Sequence, residues 1–106
     1  MTKQHGEFDE IAKELRDFAV SRNWEQYHTP KNLSMALAGE AGELVAEFQW
    51  LTPEQSVRAA LTSEKLEAIA MEIADVQIYL VRLADVLGIN IPTSVRRKIE
   101  INGSRF

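Results

Sequence analysis

Apolar and polar residues alternate along this chain with a helical period, and no stretch shows strand-like alternation. Phe8, Ile11, Leu15, Phe18 and Ala19 recur at helical spacing with charged residues between them. This predicts an amphipathic helix over roughly residues 7–22 with its acids in solvent. The polar and aromatic stretch NWEQYHTP breaks the period and ends in Thr29-Pro30, an N-cap residue followed by the residue favoured at the first helical position. A second helix is expected from there, with Leu33, Leu37, Ala41, Leu44 and Phe48 as its apolar stripe. Thr52-Pro53 repeats the signal and predicts a short helix reaching Ala60, after which Thr62 or Ser63 caps a longer one. On that longer helix Leu66, Ile69, Ala70, Ile73, Val76, Leu80, Leu83 and Leu87 form the apolar side, and Gly88 is placed to end it as a C′ residue. Ile91-Pro92 leads into a last, basic helix with Val95, Ile99 and Asn102 on one side.

These elements predict an all-α fold, a four-helix bundle with one short additional helix. The 106 residues fit a single domain spanning the whole chain. A domain this small buries a modest share of its surface while its helices carry broad apolar faces, so completion by homo-oligomerisation is expected.

Charge and composition then narrow the function. The formal net charge of −4 argues against a nucleic-acid polymer as partner. Arg96, Arg97, Lys98 and Arg105 gather late in the chain, a cluster suited to a few phosphates rather than a duplex. Cysteine is absent, which excludes disulfides, thiolate catalysis and zinc–thiolate sites. The segment MTKQHGEFDE lacks a signal-peptide core, and no run approaches the ~20 apolar residues that span a bilayer, so no membrane association and a cytoplasmic location are expected.

The chemistry concentrates in two acidic pairs, Glu40-x-x-Glu43 and Glu72-x-x-Asp75, each spaced by one helical turn and each beside an apolar stripe. Acids at helical spacing are usually a solvated face. Two such pairs on the two long helices make a different reading worth weighing, because converging carboxylates repel one another unless a cation compensates. A hard divalent cation such as Mg²⁺ takes oxygen ligands and shares sites with phosphate. Gly39 and Gly42 interleave the first pair at a cost of roughly 1 kcal/mol each against alanine, which suggests close approach of a backbone, metal or ligand. Glu47 extends that stripe by a further turn, either as an outer neighbour of the site or as the partner of a Lys or Arg.

Trp24, Tyr27, Trp50 and Tyr79 border the acids along the sequence. Tryptophans in small helical proteins mostly serve cores or interfaces, but a nucleobase also needs a flat stacking partner, and Trp24 in its polar loop suits that role. His28 precedes the Thr29 cap and His5 lies near the N-terminus. His28 does follow Glu25 at the third position, but the carboxylate-bridged di-iron bundles use two such pairs and this chain has only the one, which argues against a di-iron site. Lys98 and Asn102 are one turn apart, able to reach phosphate or sugar or to form a solvated basic face.

Taken together, NWEQYHTPKNLSMALAGEAGELVAEFQW, EIADVQIYLVRLADVLGINIP and KIEIN resemble the MazG-like nucleoside triphosphate pyrophosphohydrolases, most nearly the dCTP pyrophosphatase group, over nearly the whole chain. The resemblance implies an all-α dimer or tetramer and Mg²⁺-dependent cleavage, with Mn²⁺ as a possible substitute, between the α- and β-phosphates of dCTP, a modified dCTP or another nucleoside triphosphate. Carried over by position, it implies metal ligands and catalytic acids at Glu40, Glu43, Glu72 and Asp75, and nucleotide contacts at Trp24, Trp50, Tyr79, Lys98 and Asn102. The chain departs from many family members in having Gly39 before Glu40, where they carry two consecutive acids, and in placing Ala46 and Glu47 where related sequences have an acid and an apolar residue. Two competing readings are a non-catalytic helical interaction protein, whose acidic stripes and tryptophans meet a partner, and a metal-dependent hydrolase of another phosphate ester.

Overall fold

The computed structural model describes residues 6–106, and His5 lies outside them. The fold is all-α: four α-helices and three short 3-10 turns, with no strand among the described residues. Two compact units share the chain. One comprises the residues up to Pro30 together with Val81–Phe106, and the other comprises Lys31–Leu80.

In the first unit, α1 spans Glu7–Ser21 and carries Glu7, Asp9 and Glu10 in its first turn, where anions complement the helix dipole. Ala19 is buried, and the acids are exposed as expected. The helix ends on Asn23, whose φ of 58° is left-handed. The N–H of Asn23 donates to Val20 O at 3.1 Å and that of Trp24 to Ala19 O at 2.9 Å, so a Schellman motif fixes the Trp24 backbone against a buried turn. The last turns of α3 (Ser63–Leu87) contribute Val81 and Ala84 to the core of this unit, together with Arg82, which is only 7% exposed. Gly88, at φ 69°, closes α3 by the same motif, with Ile89 N–H donating to Ala84 O at 2.8 Å. Helix α4 (Ile91–Arg105) follows, and its cap is Asn90, whose side chain accepts from Thr93 N–H at 2.9 Å.

In the second unit, α2 spans Pro30–Ala46 with proline at its first position and Leu33 buried. It ends two residues before Phe48: the N–H groups of Glu47 and Phe48 bond three residues back, to Leu44 and Val45, which tightens the chain into turns. The short helix expected from Thr52-Pro53 is instead two 3-10 turns, Glu54–Ser56 and Arg58–Ala60. Val57 separates them in an extended conformation at ψ 151°, as a β-branched residue readily does. Thr52 and Gln55 form a reciprocal capping box at 2.9 and 3.2 Å. Thr62, rather than Ser63, caps α3, accepting from Lys65 N–H at 3.1 Å.

The apolar side expected of α3 is corrected in part. Ile69 is buried and Leu66, Val76, Leu80 and Leu83 are half-buried, but Ala70, Ile73 and Leu87 are exposed, while Val81 and Ala84 are buried instead. One helix serves two units, and each unit buries its own positions on it, Ile69 in the second and Val81 and Ala84 in the first. A single straight stripe does not describe it.

Candidate metal and nucleotide site

Helices α2 and α3 of the second unit bring Glu40, Glu72 and Asp75 together. One carboxylate oxygen from each lies within 4.8 Å of the other two, and all three side chains are half-buried. Glu40 comes from the third turn of a helix built from good helix formers, and Glu72 and Asp75 from one turn of its antiparallel neighbour, as their three-residue spacing requires. Oε2 of Glu72 is buried with no hydrogen-bond partner. Burial pushes the Glu72 carboxyl above its ordinary range, and the charges of Glu43, Asp75, Glu40 and Glu47 push it further in the same direction.

Glu43 stands outside the tight group and is exposed, yet of the four neighbouring carboxylates it raises the Glu72 pKa the most. Glu47 adds to the same field and is paired with Lys65, whose Nζ donates to Glu47 Oε1 at 2.8 Å. Three convergent carboxylates, one with an orphaned buried oxygen, fit a hard divalent cation, since among the described residues no ion pair compensates their charge and no hydrogen bond satisfies that atom. The expected close approach at Gly39 and Gly42 does not come from this chain, because a Cβ at either would meet nothing within 4 Å. Both lie on the exposed side of α2, where small size leaves room outside the helix.

The remaining residues are placed individually. Trp24 is 41% exposed and sits edge-on to Phe18, with ring centroids 5.5 Å apart. The Arg22 guanidinium lies over Phe18 at 4.3 Å and reaches Trp24 at 5.8 Å, so two neighbours hold the indole while leaving part of it open. Trp50 is 87% exposed in the turn after α2. Tyr79 is half-buried on α3, Lys98 is exposed on α4 and Asn102 is half-buried one turn further.

Sequence reasoning missed the polar core of the first unit. Arg82 donates from Nε to His28 Nδ1 at 3.1 Å and from Nη1 to Asp85 Oδ2 at 3.2 Å, and Arg16 grips the same carboxylate with two hydrogen bonds at 3.0 and 2.9 Å. The hydrogen bond from Arg16 holds Asp85 below the usual carboxylate range. Burial, aided by the Arg82 charge, lowers the His28 pKa, and Nδ1, as the acceptor from Arg82, leaves the ring proton to Nε2. His28 in turn packs against Trp24 at 6.2 Å. The legible signal was an arginine within an apolar helical run, at VRLAD.

The MazG-like family matches residues 36–105, which include both acidic pairs. The chain is 39% identical to Homo sapiens dCTP pyrophosphatase 1 over 98 residues, 92% of this chain and 58% of the human protein. It is 38% identical to the Bos taurus protein of the same name with the same coverage, so it spans somewhat over half the length of these relatives. A solved structure of a pyrophosphatase from Archaeoglobus fulgidus is similar at a TM-score of 0.88 and 38% identity, covering 100% of this chain and 97% of that one. With its acidic pairs inside the matched span and its fold shared at this identity, the chain belongs to the MazG-like family.

Proposed function

We propose that this chain is a divalent-metal-dependent nucleoside triphosphate pyrophosphohydrolase that releases a nucleoside monophosphate and pyrophosphate, with dCTP or a modified dCTP as its preferred substrate. The observation that carries the reading is the meeting of Glu40, Glu72 and Asp75 around an unsatisfied Glu72 oxygen. The substrate assignment takes its support from the dCTP pyrophosphatases. The whole chain is read as one catalytic domain, and its exposed apolar residues support a homo-oligomer.

Glu40, Glu72 and Asp75 would hold Mg²⁺, or Mn²⁺ in its place. When bound, the cation neutralises triphosphate oxygens and stabilises charge that develops on them. The hydrolytic step forms a bond from a water oxygen to the α-phosphorus and breaks the bond to the α–β bridging oxygen, which leaves with pyrophosphate. Glu43 suits the proton acceptor for that water: it is exposed and set outside the tight group, yet electrostatically close to Glu72. On the ground of the family resemblance, Trp24 is assigned to the base, Trp50 to the wall of the pocket, and Tyr79, Lys98 and Asn102 to nucleotide binding.

Asp75→Ala and Glu43→Ala test the assignment. Each is expected to lower metal-dependent turnover by about 10²-fold or more while leaving the helical far-ultraviolet signal intact. Wild-type turnover in either variant rejects the role given to that residue.

A further inference from the structure

Lys65 and Glu47 carry their charges at helix ends that disfavour them. Lys65 stands in the first turn of α3, at its positive pole, and Glu47 directly follows Ala46 at the negative pole of α2. Neither position is explained by its own helix. The two side chains meet each other instead, at 2.8 Å, with 34% and 22% of their side-chain surfaces exposed.

The register of this contact links it to the acids. Glu40 lies seven residues before Glu47, and Glu72 lies seven residues after Lys65, so equal steps in opposite directions lead from the ion pair to the carboxylate group. Seven residues advance a helix by about 10 Å and rotate the side-chain direction by only about 20°. Glu47 with Lys65 and Glu40 with Glu72 are therefore two rungs of one antiparallel ladder. At one rung the charges attract, while at the other like charges repel.

We propose that Glu47 and Lys65 form a positioning pair that sets the register of α2 against α3 and so keeps Glu40 at ligating distance from Glu72 and Asp75. The proposal rests on the reading of those three acids as the metal-holding group. An attraction two turns away opposes the mutual repulsion that would otherwise spread the acid-bearing helices, and the partial burial of the pair protects it from screening.

Calorimetric titration of the full chain with Mg²⁺, well below each melting temperature, tests this in the wild type and in Lys65→Met, Lys65→Arg, Glu47→Gln, the Lys65→Met/Glu47→Gln double variant and Glu72→Gln. Positioning predicts that Lys65→Met and Glu47→Gln each weaken Mg²⁺ binding on the order of tenfold. The double variant is then no weaker than either single one, and Lys65→Arg retains most of the affinity. A simple through-space charge effect has the opposite sign at Lys65, so tighter Mg²⁺ binding by Lys65→Met overturns the proposal. Unchanged affinity in both single variants overturns it as well, and leaves the metal site standing if Glu72→Gln abolishes binding. A wild type that takes no Mg²⁺, or a Glu72→Gln variant that binds like the wild type, removes the site reading and the proposal with it. Lys65→Gln, which keeps a polar side chain at the helix end, takes the place of Lys65→Met with the same expected loss and the same overturning result if Lys65→Met does not fold.

Discussion

Glu72 concentrates the electrostatic tension of the molecule. A carboxyl whose folded pKa lies above its unfolded value leaves stability intact below the ordinary glutamate range and removes it as the pH rises toward the folded value. Glu72→Gln should therefore melt above the wild type at neutral pH in chelator, and the two should converge in acid; equal melting at neutral pH would contradict the burial and repulsion described. Asp85 behaves in the opposite sense. Its lowered pKa contributes stability above the ordinary aspartate range that is lost as the pH falls through the folded value. Asp85→Asn leaves the buried Arg82 without its counter-charge and should cost about 2 kcal/mol in denaturant unfolding at pH 7. That sits below the range for a fully buried pair because Asp85 keeps 18% of its side-chain surface exposed. The variant should also show less acid dependence than the wild type.

At the scale of elements, two glycines make opposite predictions. Gly88 is held at φ 69°, so Gly88→Ala should destabilise the protein by about 1–2 kcal/mol, measured by urea unfolding. Gly39 is inside α2 with open space around it, and Gly39→Ala should stabilise the protein by about 1 kcal/mol. Loss of turnover in that more stable variant would show that substrate or a second subunit uses the space. The four helices, the Thr29-Pro30 and Thr52-Pro53 starts and the Gly88 stop were legible because caps and helical periods are local features. That Glu72 and Asp75 share a face was legible for the same reason, whereas Glu43 stands outside the group that its spacing from Glu40 suggested. Asn23 as a left-handed cap, the extended Val57 and the Arg82 network were not, because each depends on backbone angles or on residues distant in sequence. The convergence of Glu40 with Glu72 and Asp75 required the register between two helices, which no single-helix pattern contains.

The whole molecule leaves much apolar surface in solvent. Five apolar residues are buried among those described, whereas Met35, Val45, Trp50, Met71, Ile73, Val95 and Ile99 are each about half exposed or more. A domain of this length has little surplus stability to carry such faces uncovered, and self-association is expected to cover them. Light scattering across a dilution series should give a dimer or tetramer whose melting temperature falls on dilution; a monomer with a concentration-independent melt would contradict that expectation. Catalysis itself is read out by a pyrophosphate-release assay on a panel of deoxy- and ribonucleoside triphosphates, run with Mg²⁺ and with chelator and followed by chromatography. The expected result is Mg²⁺-dependent formation of monophosphate and pyrophosphate in equal amounts, with dCTP or a modified dCTP the most rapidly cleaved. Contradiction would be a panel with no turnover, or one that releases inorganic phosphate stepwise instead of pyrophosphate.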